Sequence, residues 1–156
     1  MRNRILGIAL IALVLGCLSF NSNNEFKETA KDNKEDKGII FQTMSLEEAK
    51  LLSKKTGKLI FIDIYASWCG PCKMMAKGPF KDKKVGSVYN SSFINLKIDA
   101  EKDADGEFVS RAYAVSAYPT TVFIDGDGKL IKKFVGYRSE DNLLGMAEMA
   151  NSSVAD

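Results

Sequence analysis

The stretch from Leu59 to Lys73, LIFIDIYASWCGPCK, constrains the fold of this chain more than any other part of the sequence. Its first eight residues are almost continuously apolar and rich in Ile and Phe, a pattern typical of a strand buried on both faces in the middle of a sheet. Two cysteines separated by Gly70 and Pro71 follow at once, where a helix can begin. We therefore expect a central strand that ends at a cysteine pair on a helix N-terminus.

The remaining segments predict the elements that surround this strand. Ser45 and Glu48 form a capping-box pattern and Gly57 is a helix stop, so a helix precedes the strand. Pro79 kinks or ends the helix that follows the cysteines, and Ser139 is the N-cap of a last helix. The predicted strands are IIFQT, FINLKIDA, TTVFID and KLIKKFVGY, with a short helix at GEFVSRAYAV and a hairpin turn at DGDG. The order β-α-β-α-β-α-β-β-α predicts an α/β fold with a mixed central sheet flanked by helices on both faces.

The first 17 residues predict export from the cytoplasm. A basic head with Arg2 and Arg4 precedes a 12-residue apolar run from Ile5 to Gly16, which has the length of a signal-peptide hydrophobic region. The run is too short to cross a hydrocarbon core of ~30 Å comfortably. It ends in VLGC, which resembles a bacterial lipobox in which Cys17 is lipidated and becomes the first residue of the mature protein. Plain secretion with cleavage nearby and an uncleaved anchor are the alternatives, and all three place the protein outside the cytoplasm.

A polar segment separates this leader from the predicted domain. From Asn21 to Gly38 the sequence has one aromatic residue and no apolar periodicity, so it cannot bury enough surface to offset its ordering entropy. Residues 18–38 are therefore predicted to be a flexible tether, and residues 39–156 a single folded domain. A tether of this kind lets a lipid-anchored domain stand clear of the membrane.

The charge balance and the cysteine count argue against several classes of function. Without Arg2 and Arg4, the 22 basic residues fall to 20 and equal the 20 acidic ones, so no nucleic-acid partner is expected. A zinc site normally takes four Cys or His ligands, and the chain has no histidine and only two cysteines in the domain. A structural disulfide would close a loop too short to restrict the unfolded chain much. A redox-active pair is favoured, because a helix N-terminus stabilises a thiolate.

The segment FIDIYASWCGPCKMM, together with the later proline in AYPTT, resembles the thioredoxin superfamily from about Ile39 to Ala150. The stretch from Cys72 to Glu101 resembles the thioredoxin-like reducing domains of exported bacterial proteins, such as the C-terminal domain of the transmembrane thiol:disulfide interchange protein. The resemblance implies a thioredoxin fold and a monomeric thiol-disulfide oxidoreductase. It also implies that the Cys69–Cys72 disulfide is the redox group, with no other cofactor and no metal.

The resemblance implies a role for each residue of the motif. Cys69 would be the exposed nucleophile that attacks a substrate disulfide, and Cys72 the more buried thiol that resolves the mixed disulfide. Trp68 would shield the pair. Gly70 would let a substrate backbone approach, and Pro71 suits the first helical turn because it lacks the N–H group that would be unpaired there.

Three further residues would complete a substrate surface. Pro119 matches the cis-proline of the family, which lies against the cysteine pair. Tyr118 would offer its backbone to an extended substrate segment, and Gly136 would leave room for that segment on the same surface.

Asp63 is a charged residue inside the apolar strand, six residues before Cys69, and it matches the buried aspartate of the family. Burial would raise its pKa, so that it could take the proton from Cys72 during resolution. The alternative is a strand-end carboxylate that reaches solvent. Where thioredoxins commonly carry a lysine partner, this chain has Asn95, and we expect Lys97 to face the opposite side.

The sequence therefore predicts an exported reductase of protein disulfides. A Gly-Pro pair between the cysteines resembles reductases of the superfamily, whereas a histidine there resembles oxidants and isomerases. The expected partners are disulfide-containing exported proteins as substrates and a membrane-embedded thiol as electron donor. The alternatives are an oxidant or isomerase of the same fold, a tethered non-catalytic module that binds unfolded chains, and, less favoured, copper delivery.

Overall fold

A computed structural model describes residues 37–153 of the protein. The elements in chain order are α1 (Leu46–Thr56), β1 (Leu59–Tyr65), α2 (Gly70–Lys77), a 3-10 turn (Pro79–Lys81), α3 (Lys83–Ser92), β2 (Phe93–Asp99), α4 (Gly106–Ala112), β3 (Thr120–Ile124), β4 (Leu130–Val135) and α5 (Glu140–Ser152). The predicted signal peptide, the predicted lipid-anchor residue Cys17 and residues 18–36 of the predicted tether lie outside the described residues, as do residues 154–156.

The four strands form a mixed sheet with the order β2-β1-β3-β4. β1 is parallel to β2 and antiparallel to β3, and β3 is antiparallel to β4. β1 therefore lies between two neighbours, as its apolar sequence predicts. The predicted α/β thioredoxin fold is confirmed by this architecture.

Alternate residues of β1 contribute to two different cores. Leu59 and Phe61 pack among residues of α2, α3 and α5, whereas Ile60, Ile62 and Ile64 pack among residues of α1 and α4. Because side chains alternate along a strand, Asp63 follows Leu59 and Phe61 onto the face that α2 covers. The strand thus carries its one charged residue into the core beneath the cysteine-bearing helix.

The helix boundaries follow the local sequence signals. Ser45 and Glu48 make the predicted capping box, and Gly57 ends α1 with a φ of 72°. Ser139 caps α5 in the same way, with Asn142 as its partner. The helix after the cysteines stops at Lys77, before the proline, and resumes at α3. No helix within residues 37–153 is long and apolar enough to cross a lipid bilayer.

The prediction of a first strand at IIFQT is wrong. Its backbone N–H groups bond to three different elements, so no repeating ladder forms. Ile39 N–H donates to the Phe80 carbonyl and Gln42 N–H to the Asn95 carbonyl, each at 2.8 Å. Ile40 N–H donates to the side chain of Asn90 on α3, also at 2.8 Å. We call residues 39–43 the N-terminal run; it passes along the β2 edge of the fold and brings Ile39 and Phe41 into the core on the α2 side.

Candidate active site

The cysteine pair lies where the strand–helix junction was predicted. Cys69 and Cys72 form a disulfide with an S–S distance of 2.07 Å, and Cys69 is the N-cap of α2. The Cys72 N–H donates to the Cys69 sulfur at 3.2 Å. In the reduced protein the same donor and the positive end of the helix dipole would stabilise a thiolate on Cys69.

The expected difference in exposure between the two cysteines is absent from the disulfide form. Cys69 is 3% exposed and Cys72 is 2% exposed. Both pack in a small cluster with Ala66, which Tyr65 and Tyr118 partly cover. The prediction that Cys69 is exposed is therefore wrong for the oxidised state, since Cys69 packs in this cluster and is almost as buried as Cys72.

Trp68 and Tyr118 form an aromatic rim beside the disulfide. Their rings meet edge to face with centroids 5.9 Å apart, and Trp68 is 65% exposed. The Trp68 indole N–H donates to both carboxylate oxygens of Glu101, at 3.0 and 3.1 Å. Glu101 was not predicted, because no local motif in the sequence links it to a tryptophan 33 residues away.

The predicted substrate surface is assembled next to this rim. The Tyr118–Pro119 peptide bond is cis, and the Gly136 N–H donates to the Pro119 carbonyl at 2.8 Å. Gly136 has a φ of 92° and open space where a side chain would be. Gly70 also has open space around its α-carbon, and Pro71 lies in the first turn of α2, as expected. The structure thus brings Gly136 and the buried Pro119 together and leaves open space beside Gly136.

Asp63 is fully buried and forms an ion pair with Lys97. The Lys97 ammonium lies 2.5 Å from Asp63 Oδ2, and the lysine side chain is 25% exposed. The expectation that Lys97 faces the opposite side is wrong, because Asp63 and Lys97 are register partners on adjacent parallel strands and project from the same face. Asn95 is also buried, but its amide donates to the Tyr89 carbonyl at 3.3 Å and not to Asp63.

Burial raises the pKa of the Asp63 carboxyl above its ordinary value, although the Lys97 ammonium acts in the opposite direction. Its second oxygen, Oδ1, has no hydrogen-bond partner among the described residues. The same is true of the Thr121 hydroxyl, which belongs to the register partner of Asp63 on β3. A carboxylate with a raised pKa and a free oxygen is suited to accept a proton.

A cavity of about 230 Å³ lies beside the disulfide. Cys72, Lys97 and Tyr65 line it, with Ala66, Ser67, Lys73 and Ala76. Cys72 and Lys97 thus border one space, which neither Cys69 nor Asp63 lines. Within residues 37–153, no group of three or more His, Cys, Asp or Glu side chains could hold a metal ion.

Residues 46–151 match the family described as the thioredoxin-like domain. The chain belongs to this thioredoxin-like family. Thioredoxin from Borreliella burgdorferi is 34% identical over 106 residues, which are 68% of this chain and 85% of that protein. The cysteine pair is accordingly the redox centre of a thioredoxin-like disulfide oxidoreductase, an enzyme family that works with a redox-active disulfide and no separate cofactor.

Solved structures extend the comparison. A protein from Bacteroides thetaiotaomicron, described provisionally as a disulphide-isomerase, is 36% identical with a TM-score of 0.66, over 75% of this chain and 96% of that chain. The C-terminal domain of DsbD from Neisseria meningitidis in its oxidised form is 21% identical with a TM-score of 0.57, over 72% and 98%. The second likeness shows a common fold.

Replacing Asp63 with asparagine is expected to stabilise the oxidised protein near neutral pH and to change it little in acid. Because folding raises the pKa of Asp63, the stability that this group contributes is fully present below its ordinary pKa. That contribution is lost as the pH rises through the folded-state pKa, and the asparagine variant does not undergo this loss. Denaturant unfolding of both proteins between about pH 3 and about pH 8 measures the difference.

Asp127→Asn is the matched control for this experiment. Asp127 is an exposed carboxylate whose pKa is lowered by its hydrogen bond and ion pair with Lys54 at 2.7 Å. The stability that Asp127 contributes therefore depends on pH in the opposite way: it is present above the ordinary pKa of the carboxyl and is lost in acid. A stability gap for Asp63→Asn that stays constant with pH would contradict the electrostatic assignment.

Proposed function

We propose that this protein is an exported, membrane-anchored reductase of protein disulfides. The observation that carries the proposal is the Cys69–Cys72 pair at the N-terminus of α2, with Cys72 bordering a cavity that is also lined by Lys97, the ion-pair partner of the buried Asp63. This arrangement serves both halves of the reaction. The helix N-terminus supports the attacking thiolate, and the buried carboxylate supports deprotonation of the resolving thiol.

The reaction begins with the reduced enzyme. The Cys69 thiolate attacks one sulfur of a substrate disulfide, forming a mixed disulfide and releasing the other substrate sulfur as a thiolate, which takes up a proton. Cys72 then gives its proton to Asp63, directly or through a water, and its sulfur attacks Cys69. The second substrate sulfur leaves as a thiolate, so two electrons pass from the cysteine pair to the substrate and the enzyme disulfide forms.

The substrate would lie against the surface next to the aromatic rim. The open space at Gly136, the cis-Pro119 and the backbone of Tyr118 leave room for an extended segment that pairs with the Tyr118 main chain by hydrogen bonds. Exposed apolar side chains lie next to this place: Trp68 contacts Tyr118, and Val135 and Tyr137 flank Gly136. Such a surface is suited to disulfide-containing segments of incompletely folded exported proteins.

The direction of the reaction and its place in the cell rest on the sequence. The Gly-Pro pair between the cysteines favours the reducing direction, because it lacks the imidazole that would stabilise the reduced form. The basic head, the apolar run and Cys17 support export and lipid attachment, and the proposed form is a periplasmic monomer on a tether. A membrane-embedded thiol protein would return the enzyme to its reduced form.

Disulfide isomerisation is the second candidate function. The 36% identical Bacteroides protein is described as a disulphide-isomerase, which favours this candidate. The two functions use the same cysteines but need different reduction potentials, since an isomerase must leave its substrate oxidised. Binding of unfolded chains without catalysis is not supported, because the chain belongs to an oxidoreductase family.

Replacing the cysteines singly is expected to separate the two steps. Cys69→Ser should reduce the rate of protein disulfide reduction to that of the buffer alone, because the attacking sulfur is lost. Cys72→Ser should leave Cys69 in mixed disulfides with substrates, which non-reducing electrophoresis of intact cells detects. Cys17→Ser is the control and should reduce a soluble disulfide protein at the wild-type rate. Activity retained by the Cys69→Ser protein would refute the proposal.

A redox titration decides between reduction and isomerisation. Trp68 is the only tryptophan and directly precedes Cys69, so its fluorescence is expected to report whether the two cysteines are oxidised or reduced. A midpoint near about −270 mV, as in thioredoxin, is expected for the reductase. A midpoint near about −180 mV would favour isomerase activity, and one near about −120 mV an oxidant.

The membrane anchor is tested by Cys17→Ser. This variant is expected to move from the membrane fraction to the soluble fraction, because the proposed lipid attachment site is lost. The Cys72→Ser protein, which keeps the leader intact, should stay with the membranes. Unchanged partitioning of Cys17→Ser, with no acyl label on the wild-type chain, would show that Cys17 is not lipidated.

A further inference from the structure

The Lys97 ammonium lies among three aromatic rings. Its nitrogen is 4.2 Å from the centroid of the Tyr65 ring, 5.5 Å from that of Phe80 and 5.6 Å from that of Phe41. All three distances fall within the range of cation–π attraction, about 6 Å. The carboxylate of Asp63 occupies a further side of the same ammonium. We call these three rings the aromatic cage.

The rings of the cage come from separate parts of the fold, and two of them contact each other. Tyr65 ends β1, Phe80 lies in the turn after α2, and Phe41 belongs to the N-terminal run. The rings of Phe41 and Phe80 meet edge to face with centroids 5.3 Å apart. Both rings also lie 6.4 Å from Phe61, a core residue on β1. Two rings of the cage, those of Phe41 and Phe80, are therefore packed on the core.

Without such a cage the lysine would have other places to go. Lys97 borders three cavities: the one that reaches Cys72, one of about 170 Å³ beside Phe41 and Phe80, and one of about 460 Å³. The largest is also lined by Asp103 and Asp105, whose carboxylates would compete with Asp63 for the ammonium. A lysine side chain has four flexible carbons, so contact with Asp63 requires that these alternatives be disfavoured.

We propose that Phe41 is a positioning residue for the redox reaction, because with Tyr65 and Phe80 it holds the Lys97 ammonium on Asp63 while Cys72 is deprotonated. The N-terminal run is thereby part of the redox site. This inference rests on the proposed function for its kinetic consequence, but the position of Lys97 can be measured independently of activity.

The cage matters most at the moment of proton transfer. When the Cys72 proton moves to Asp63, the carboxylate loses its charge and its attraction for Lys97 falls. The attraction between the ammonium and the ring faces does not depend on the charge of Asp63, so the lysine stays in place for the next cycle. Other titratable groups line the same cavities as Lys97 or lie near Tyr65, namely the Tyr65 hydroxyl, Lys73 on α2, Lys81 after α2, Asp99, Asp103 and Asp105.

The test is a pH titration of Asp63 in the full-length oxidised protein, followed by carbon-13 NMR of its carboxyl group. Phe41→Leu is expected to move the titration midpoint of Asp63 upward, because Lys97 spends less time beside it. Phe41→Tyr keeps a ring and should restore the wild-type midpoint. In a Lys97→Met background, Phe41→Leu should cause no further movement, since the group that the cage positions is gone.

Resolution of a mixed disulfide on Cys69 provides the kinetic readout. In Phe41→Leu the acid limb of the pH–rate profile should shift to higher pH, so that the rate at a given pH on that limb falls about two- to fivefold. Phe134→Leu is the matched control, because Phe134 is a partly buried ring of the same core that contacts Arg138 at 5.8 Å and not Lys97. Its Asp63 titration and its profile should match the wild type.

A second substitution removes the dependence on packing. Placing 3,4,5-trifluorophenylalanine at position 41 keeps the shape of the ring but withdraws charge from its face, so it should reproduce the upward shift without disturbing the core. An Asp63 midpoint that is unchanged in both this protein and Phe41→Leu, or shifted equally by Phe134→Leu, would overturn the inference. If the wild-type protein has no disulfide-exchange activity, the proposed function is refuted. The NMR titration would still show whether the cage positions Lys97 beside Asp63.

Discussion

Asp63 places a carboxylate inside the central strand of the sheet, and much of the site is arranged around that burial. An isolated buried charge is too costly to keep, so the fold must supply a cation or let the group take up a proton. The structure makes both possible. Parallel pairing of β1 with β2 brings Lys97 beside Asp63. The second carboxylate oxygen of Asp63 stays without a hydrogen-bond partner among the described residues, and burial raises the pKa of this carboxyl.

The position of the disulfide follows from the same strand. β1 ends at Tyr65, and the chain turns so that Cys69 caps a helix that packs on the face where Asp63 lies. Met75 anchors that helix in the core, and Cys72, one turn earlier, borders the cavity that leads to Lys97. The two cysteines are thus distinguished by what surrounds them, since their exposures of 3% and 2% are nearly equal.

Local patterns predicted most of the fold, and long-range pairing determined what they missed. Capping signals at Ser45 and Ser139 and the apolar strands are properties of short windows, and the structure contains them. The partner of Asp63 depends on the register between two strands 34 residues apart, which no single window records. The contact of Glu101 with Trp68 is also made between residues far apart in sequence. The N-terminal run was mispredicted for a related reason: its apolar residues suit a strand, but its hydrogen bonds go to three separate elements.

Close backbone approach at two glycines explains how the N-terminal run can be part of the redox site. A β-carbon on Gly86 would lie 2.1 Å from the Lys37 carbonyl oxygen, and one on Gly38 would lie 2.1 Å from the Phe80 carbonyl oxygen. The absence of side chains at both positions lets the chain enter the fold against α3 and the turn after α2. That entry fixes the course of residues 39–43, so the ring of Phe41 can meet the ring of Phe80 over Lys97. The packing of residues 37–43 against α3 and the turn after α2 is therefore the packing that holds the cation beside the buried carboxylate of Asp63.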